Sequence, residues 1–509
     1  MSSPNPLRRF LLPALLFLGA IGAVLAFGRG QRSNLVVICV DSLRADALSD
    51  SAGAPRTPNL DALVADGVAF KRMHASSPST LEATASLLAS QRPDELLVDA
   101  WREKIGKDVP NLATALRSRG YTTRAVLAHE ELVRASVEGA GLDRGFQRIA
   151  TPALPERAAE EQVAAILPEL RELDGSEPFF LFAQFADPRE PYSAHGTQVH
   201  KAEILFDGEW IRTLTTSENC FWEGSLRVPT GLHMFQIQSL SPFRLRALEI
   251  DGGESIQISR REEDLKQSGT QVIVTINNDA FDTRVAQVRL WMHDAPPLEQ
   301  ARERYRLEVE AVDRAIGELV AELERLDLLD DTVIAVVGSH GEALGERGVL
   351  GHDVALYGEM LRVPFVIKPQ KQNSILEDLR AHASVLGRTL DVAPTLLAIL
   401  GFDAPDSFQG TSLAEDAERP TIAQTHPPRS DRSMWSIRDD HYALQFAPGD
   451  RRFEMFDLQR DPLELDDVFS VQGAQRTDWQ QVLRELARSR PLIAPPSDLS
   501  AKPTNASRR

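Results

Sequence analysis

Asn34 to Val40 reads NLVVICV, an uncharged run, apolar after its first residue, that stops at Asp41. Such a run has no polar face to turn toward water, so it forms a strand covered on both sides, as in a parallel sheet with helices above and below. The pattern recurs along the chain. TPNLDALVADGVAF (Thr57 to Phe70) has the spacing of a helix that starts near Thr57 or Asn59, closes at Gly67 and leads into a second strand. From Val109, VPNLATALRSRGYTTRAVLAH gives helix, glycine stop and strand, and PFFLFAQF (Pro178 to Phe185) is another buried strand. The amphipathic helix Glu303 to Leu326 precedes the strand Thr332 to Gly338. Strands alternating with helices predict an α/β layered fold, with ligands bound beyond the carboxyl ends of the strands.

Between these halves the texture changes. AEILFDGEWIRTLTT, GLHMFQIQSL, FRLRALEIDG, TQVIVTIN and TRVAQVRLWM are short alternating runs separated by turn residues, the signature of an inserted all-β sandwich. Its aromatics Trp210, Phe221, Trp222 and Trp291 are expected in its core, with a carbohydrate- or partner-binding face as the alternative. The 509 residues exceed what one core supports and divide into segments. These are an N-terminal signal anchor or signal peptide (1–33), a first α/β part (34–196), the β insert (197–295) and a second α/β part (296–425). A small C-terminal β-hairpin subdomain (426–490) and a disordered tail (491–509) complete the chain.

Phe10 to Phe27 is an apolar run preceded by Arg8 and Arg9, long enough nearly to span a hydrocarbon core, with the arginines retained in the cytoplasm. The bulk of the chain is therefore expected in the periplasm or outside the cell, membrane-anchored or secreted. A formal net charge of -18 excludes a phosphate-tracking nucleic-acid binder, which needs a basic face. Cys39 lies inside an apolar strand and Cys220 in the insert, so neither a disulfide nor thiol chemistry is expected.

Chemistry-bearing residues gather at predicted strand ends. Asp41 follows the first strand, Ser76 to Thr80 the second, Arg189 a middle strand, and Ser339-His340 the strand Thr332 to Gly338. In a doubly wound sheet those ends converge on one crevice, where a carboxylate, a hydroxyl and an imidazole can hold a divalent cation and position a nucleophile. Bland readings compete at each position: Thr80 and Asp41 as helix caps, His340 as a hydrogen-bonded core histidine, His352 as half of a pair with Asp353. His74, His195 and His200 carry no informative spacing and are read as structural.

The order of segments resembles the sulfatase family of the alkaline phosphatase superfamily. NLVVICVDSLRAD, TPNLDALVADGVAF, SPSTLEATASLLAS, DPREPY, the long helix leading to VVGSHGE, GHDVALYGEMLRVPFVI, DVAPTLLAILG and FEMFDLQRDPLEL fall in the family's order. The resemblance implies an alkaline-phosphatase-like sandwich of a mixed, mainly parallel sheet between helices, with the β insert and the C-terminal β subdomain added. It implies that Asp41, Ser339 and His340 occupy metal-binding positions, that Thr80 is the nucleophile, and that His352 contacts the leaving group or the anionic oxygens. Arg189 stands at the family's Asp-Pro-His histidine and can bind the anion bidentately.

The departures from the family are specific. Ser339 replaces a metal-ligating Asp, and Glu82-Ala83-Thr84 replaces Pro-Ser-Arg beside the nucleophile, removing one positive charge and adding one negative. The pattern that converts Cys to formylglycine is absent, which excludes the usual aldehyde-hydrate chemistry. Asp353 and Asp46 are candidate replacement carboxylates, Asp46 expected to face away from the crevice. The resulting expectation is a weak or atypical hydrolase of sulfate or phosphate esters, glycan- or lipid-linked, using one divalent cation (calcium, manganese or magnesium). The alternative is a catalytically inactive scaffold that keeps the fold for binding.

Overall fold

The uncharged runs become strands of one sheet because each has apolar side chains to place on both of its faces. The structure, a computed structural model, describes residues 32–489 except 49–52, 97–108, 130–131, 134–135, 137–140, 152–157, 174, 190–191, 193–199, 217–219, 254, 260–268, 295–297, 353–354, 416–419, 426–432 and 450. The first half supplies β1 (Asn34–Val40), β2 (Val68–His74), β3 (Thr122–Val126), β4 (Arg148–Ala150) and β5 (Phe179–Phe185). The insert follows with β6 (His200–Phe206), β7 (Glu209–Thr216), β8 (Cys220–Val228), β9 (Gly231–Asp251), β10 (Ile256–Ser259), β11 (Gly269–Asn278) and β12 (Arg284–Asp294). The second half gives β13 (Thr332–Gly338), a short hairpin of β14 (Ala343–Leu344) and β15 (Leu350–Gly351), β16 (Arg362–Lys368) and β17 (Gly387–Arg388). Helices packed against these sheets include α1 (Pro58–Asp66), α2 (Thr80–Ala89), α3 (Ala159–Arg171), α4 (Leu298–Arg325), the short α5 (Gly358–Leu361), α6 (Val392–Ile399) and α7 (Thr477–Ser489).

The main sheet has eight strands in the order β17-β2-β16-β13-β1-β5-β3-β4. β16 runs antiparallel to both β13 and β2, and the other pairings are parallel. The carboxyl ends of β1, β2, β5 and β13 therefore share one rim, and the reversed β16 brings its amino end to the same rim. Successive side chains of β1 point to opposite faces. Val37 joins Phe180, Phe365, Leu88 and Leu396 on one face, while Val36 and Ile38 join Leu181, Val336, Val312 and Ile316 on the other. Full burial of such a Phe or Leu contributes roughly 1.5–3 kcal/mol.

α1 begins as the sequence indicates, with a different cap. Thr57 is the N-cap residue and its side chain makes no capping bond. Asp313 of α4 does that work, accepting from Leu60 N at 2.8 Å, from Asn59 N at 3.2 Å and from Asn59 Nδ2 at 2.8 Å. Asp313→Ala is expected to lower stability by about 1–2 kcal/mol in a urea titration, whereas Thr57→Ala stays within about 0.5 kcal/mol of wild type.

The insert differs from two separate stacked sheets. Its strands form one hydrogen-bonded sheet because β9, 21 residues long, pairs with β11 and β6 through its first part and with β12 through its last. Pro242, which cannot donate to a ladder, lies where β9 changes partner. The sheet closes around Ile204, Phe235, Ile237, Val274 and Val288. The side chains of Trp210, Phe221, Trp222 and Trp291 lie outside those described, as does that of Cys220.

At the C-terminus a four-stranded antiparallel sheet, β18 (Thr421–Thr425), β19 (Met434–Arg438), β20 (Tyr442–Ala447) and β21 (Arg452–Asp457), stands where a hairpin from 426 was expected. One face packs Trp435, Ile437, Leu444 and Met455 against Trp479 and Leu483 of α7. Phe10 to Phe27 and the tail 491–509 lie outside the described residues, and among the described residues no helix is long and apolar enough to cross a membrane.

Candidate functional site

The shared rim brings Asp41, Thr80, Ser339 and His340 together. Asp41 and Ser339 are fully buried, and Ser339 Oγ donates to Asp41 Oδ1 at 2.6 Å. The other carboxylate oxygen, Oδ2, accepts from Gln184 Nε2 of β5 at 2.9 Å. Thr80 is the first residue of α2, whose N-cap is Ser79, so its hydroxyl is not the cap. That hydroxyl meets His340 instead, with Oγ1 3.2 Å from Nε2.

The protonation of His340 follows from its other nitrogen. Nδ1 lies 2.9 Å from the Gly341 carbonyl, which can only accept, so Nδ1 carries the hydrogen and Nε2 presents a lone pair. Burial, and then the neighbouring His352, push the imidazole down to about 3 and keep it neutral. Thr80 is therefore the donor of the pair.

Behind His340 lies a second layer of bonds. The His352 ring sits against it with centroids 4.5 Å apart, and His352 Nδ1 donates to Glu342 Oε2 at 2.7 Å. Glu342 is fully buried and also accepts from Ser42 Oγ at 2.8 Å and from Tyr192 Oη at 2.6 Å. Burial pushes this carboxyl up, while the Tyr192 and Ser42 hydroxyls pull it down. Ser42 reaches Glu342 from a left-handed backbone conformation, φ 56°.

Arg189 is buried at 5% exposure, and its charge acts on both His340 and Glu342. Glu82, two residues beyond Thr80, is buried and accepts from Ser77 Oγ at 2.7 Å, which places a carboxylate beside the nucleophile turn. Thr84 and Cys39 are buried, Cys39 as a free thiol. Asp46 points outward and pairs with Arg44 at 2.6 Å, whereas Asp353 lies outside the described residues. His74 is buried and kept neutral by desolvation and by the charge of Arg438, a structural setting.

A cation at Asp41, Ser339 and His340 does not fit this arrangement. Calcium takes six to eight oxygens, carboxylates prominent among them, and magnesium demands an octahedral set with at least one or two carboxylate oxygens free to bind it. Of these three residues Asp41 alone brings a carboxylate, and each of its oxygens accepts a hydrogen bond from a neutral donor. Among the described residues, the group that can hold a metal ion is His340, Glu342 and His352, whose ligand atoms lie within 4.8 Å of one another. A cation there would displace the proton shared by His352 and Glu342.

Glu342, Tyr192, Ser42 and Gln184 received no role in the sequence reading. Gln184 carried a legible signal, since a polar residue inside a run buried on both faces requires a partner. Glu342 and Tyr192 lie in SHGE and DPREPY, segments already singled out. Ser42 carried no signal.

The sulfatase family profile matches residues 33–402, and the profile described as N-sulphoglucosamine sulphohydrolase, C-terminal, matches residues 345–490. The choline-sulfatase of Rhizobium meliloti (strain 1021) is 23% identical over 467 residues, covering 85% of this chain and 82% of that protein. The multifunctional alkaline phosphatase superfamily protein PehA of Trinickia caryophylli is 31% identical over 153 residues, 30% of this chain and 27% of its own. Among solved structures, the phosphonate monoester hydrolase of Agrobacterium radiobacter aligns with a TM-score of 0.60 at 18% identity, covering 90% of this chain and 96% of that one. BT4656 in complex with its substrate D-glucosamine-2-N,6-O-disulfate aligns with a TM-score of 0.59 at 16% identity, over 90% and 98%. Members of this family bind a divalent metal, and the fold is that of the alkaline phosphatase superfamily. With its sheet, its rim of polar residues and a profile matched over most of its length, the chain belongs to the sulfatase family.

Proposed function

We propose that the chain cleaves an anionic ester, of phosphate or sulfate, with Thr80 as nucleophile, on the exported side of a membrane to which the Phe10 to Phe27 run attaches it. The observation that carries the proposal is the Thr80 hydroxyl directed at the unprotonated Nε2 of His340, an alcohol paired with an oriented base. In the reaction Thr80 Oγ bonds to phosphorus or sulfur. The ester oxygen departs with the bonding pair, and the Thr80 proton passes to His340 Nε2 and on to the leaving oxygen. Water then frees Thr80. An imidazole held near 3 is a weak base, and an anion entering beside it opposes the effect of burial and strengthens it.

Arg189 supplies the positive charge for the anion's oxygens, and Glu342 holds His352 toward the same place. A Thr ester of phosphate or phosphonate is released by water without the aldehyde chemistry that a sulfate intermediate uses. The likeness to a phosphonate monoester hydrolase supports the same preference. The test is turnover of 4-nitrophenyl phosphate, 4-nitrophenyl phenylphosphonate and 4-nitrophenyl sulfate by the purified protein. Thr80→Ser is expected to retain activity, and Thr80→Ala to lose about 10³-fold in kcat. Undiminished turnover by Thr80→Ala, or no turnover of any of the three, removes the reading.

Two observations favour a second reading, a non-catalytic binding protein. Asp41 is closed off by Ser339 and Gln184, and Glu82 opposes an anion at the nucleophile turn. It predicts that a sulfated oligosaccharide is bound and left intact.

A further inference from the structure

We infer that Arg438 and Glu464 are positioning residues for the Thr80–His340 site, acting on it through residues 356–361. The kinetic consequence rests on the ester-cleaving reading above; the geometric one does not.

Arg438 ends β19, and Glu464 follows β21 in a left-handed conformation, φ 57°. Their side chains are 2% and 1% exposed and pair through both guanidinium amino groups, at 3.1 and 3.3 Å. Each partner also holds the backbone of one segment. Arg438 Nη2 donates to Leu356 O at 2.8 Å, joined by Gln445 Nε2 at 3.2 Å, and Glu464 Oε1 accepts from Gly358 N at 2.9 Å.

The far side of that segment touches the site. Met360 O accepts from Gly341 N at 2.8 Å, Glu359 O from Glu342 N at 2.9 Å, and Leu361 O from Ala75 N at 2.8 Å. Contact is close enough to require glycine at 341, where a Cβ would lie 2.1 Å from Glu359 O. Movement of residues 356–361 therefore moves the amides on the carboxyl side of His340 and the start of the turn that carries Thr80. A second brace runs alongside: Arg347 Nη1 donates to Leu463 O at 2.7 Å, and its guanidinium lies 3.7 Å above the Tyr357 ring.

A buried ion pair is weak grounds for a role in stability, because an apolar pair of similar volume often serves as well. What distinguishes this pair is that both members bond to main-chain groups of one segment, and that segment bonds to both halves of the site. The C-terminal sheet is thereby part of the site's framework.

The test uses the full chain with ¹⁵N-labelled histidine and the variants Arg438→Met/Glu464→Leu, Arg438→Lys and Leu444→Ala. His340 and His352 signals are assigned with His340→Gln and His352→Gln. Arg438→Met/Glu464→Leu removes the bonds to Leu356 and Gly358 without leaving a buried charge unpaired. It is expected to shift both histidine signals, lose the protected His340 Hδ1 signal, and lower kcat by about 10²-fold with KM unchanged. Arg438→Lys, which cannot hold Glu464 and Leu356 O together, gives the same changes in weaker form and carries the test should the double variant fail to fold. Leu444→Ala loosens the opposite face of the C-terminal sheet and is expected to leave the signals in place. Unchanged histidine signals in both Arg438 variants, or equal shifts in Leu444→Ala, overturn the inference. Shifted signals in a protein that cleaves no ester leave it standing and count against the hydrolase reading alone.

Discussion

Ser339→Asp is expected to destabilise the protein in chelator by about 3–5 kcal/mol, the cost of an unbalanced charge in a buried site, and to make it responsive to calcium. The wild-type contact is a hydroxyl donating to Asp41 Oδ1 at 2.6 Å, with neither residue exposed. Aspartate at 339 has no proton to donate and places a second carboxylate against the first, so either one is forced to protonate or the loop is displaced. A divalent cation relieves that repulsion by taking oxygens from both. At a thousandfold excess over its dissociation constant it contributes about 4 kcal/mol to the folded state. Thermal unfolding in EDTA and in calcium reads both effects, with each kcal/mol worth about 2–4 °C. Wild type is expected to unfold at the same temperature in both buffers. A calcium-dependent rise in the wild type equal to that of the variant shows that the wild type holds the cation as well, at the Asp41 corner or at His340, Glu342 and His352.

Glu342→Ala is expected to cost about 3–5 kcal/mol, far above the roughly 1 kcal/mol typical of a single substitution. The carboxylate accepts from Ser42, Tyr192 and His352 together, and all three donors lose this acceptor at once in a buried place. A cavity adds to the loss. Ser42→Ala removes one of the three donors and leaves the acceptor satisfied by the others, for about 1 kcal/mol. Urea denaturation separates the two, and similar midpoints for both variants show that the network around Glu342 is not shared as described. In ester turnover Glu342→Ala also frees His352 to rotate away from His340, so activity falls together with stability.

How much of this was legible beforehand depended on the range of the interaction. The alternation of buried runs and helices specified the sheet and which strand ends carry polar residues, because that reading needs only the period of each segment, and the order of motifs resembling the sulfatase family singled out Asp41, Thr80 and His340 among them. The insert read as a β-sandwich, and nothing local shows that the 21 residues of β9 pair with strands on both of its stretches and join the insert into one hydrogen-bonded sheet. Thr57 read as the start of α1, whereas its working cap comes from Asp313, about 250 residues later in the chain. Asp41 read as a metal ligand from its family position, whereas its hydrogen bonds to Ser339, just past β13, and to Gln184 of β5 join three distant segments and had no local signal.

From the sequence alone came the buried runs and the rim at which the polar residues meet, consequences of side-chain chemistry and spacing along the chain, while the resemblance to the sulfatase family marked Ser339 as standing in place of a carboxylate. Only the tertiary structure decided what those residues do to one another. It closed Asp41 with neutral donors, set the His340 tautomer through the Gly341 carbonyl, gathered three donors on Glu342, and placed Arg438 and Glu464 behind the segment that supports the site. The reason is one of length scale: a hydrogen bond is made or lost within about half an ångström, and no periodicity in a sequence specifies distances that finely between residues hundreds of positions apart.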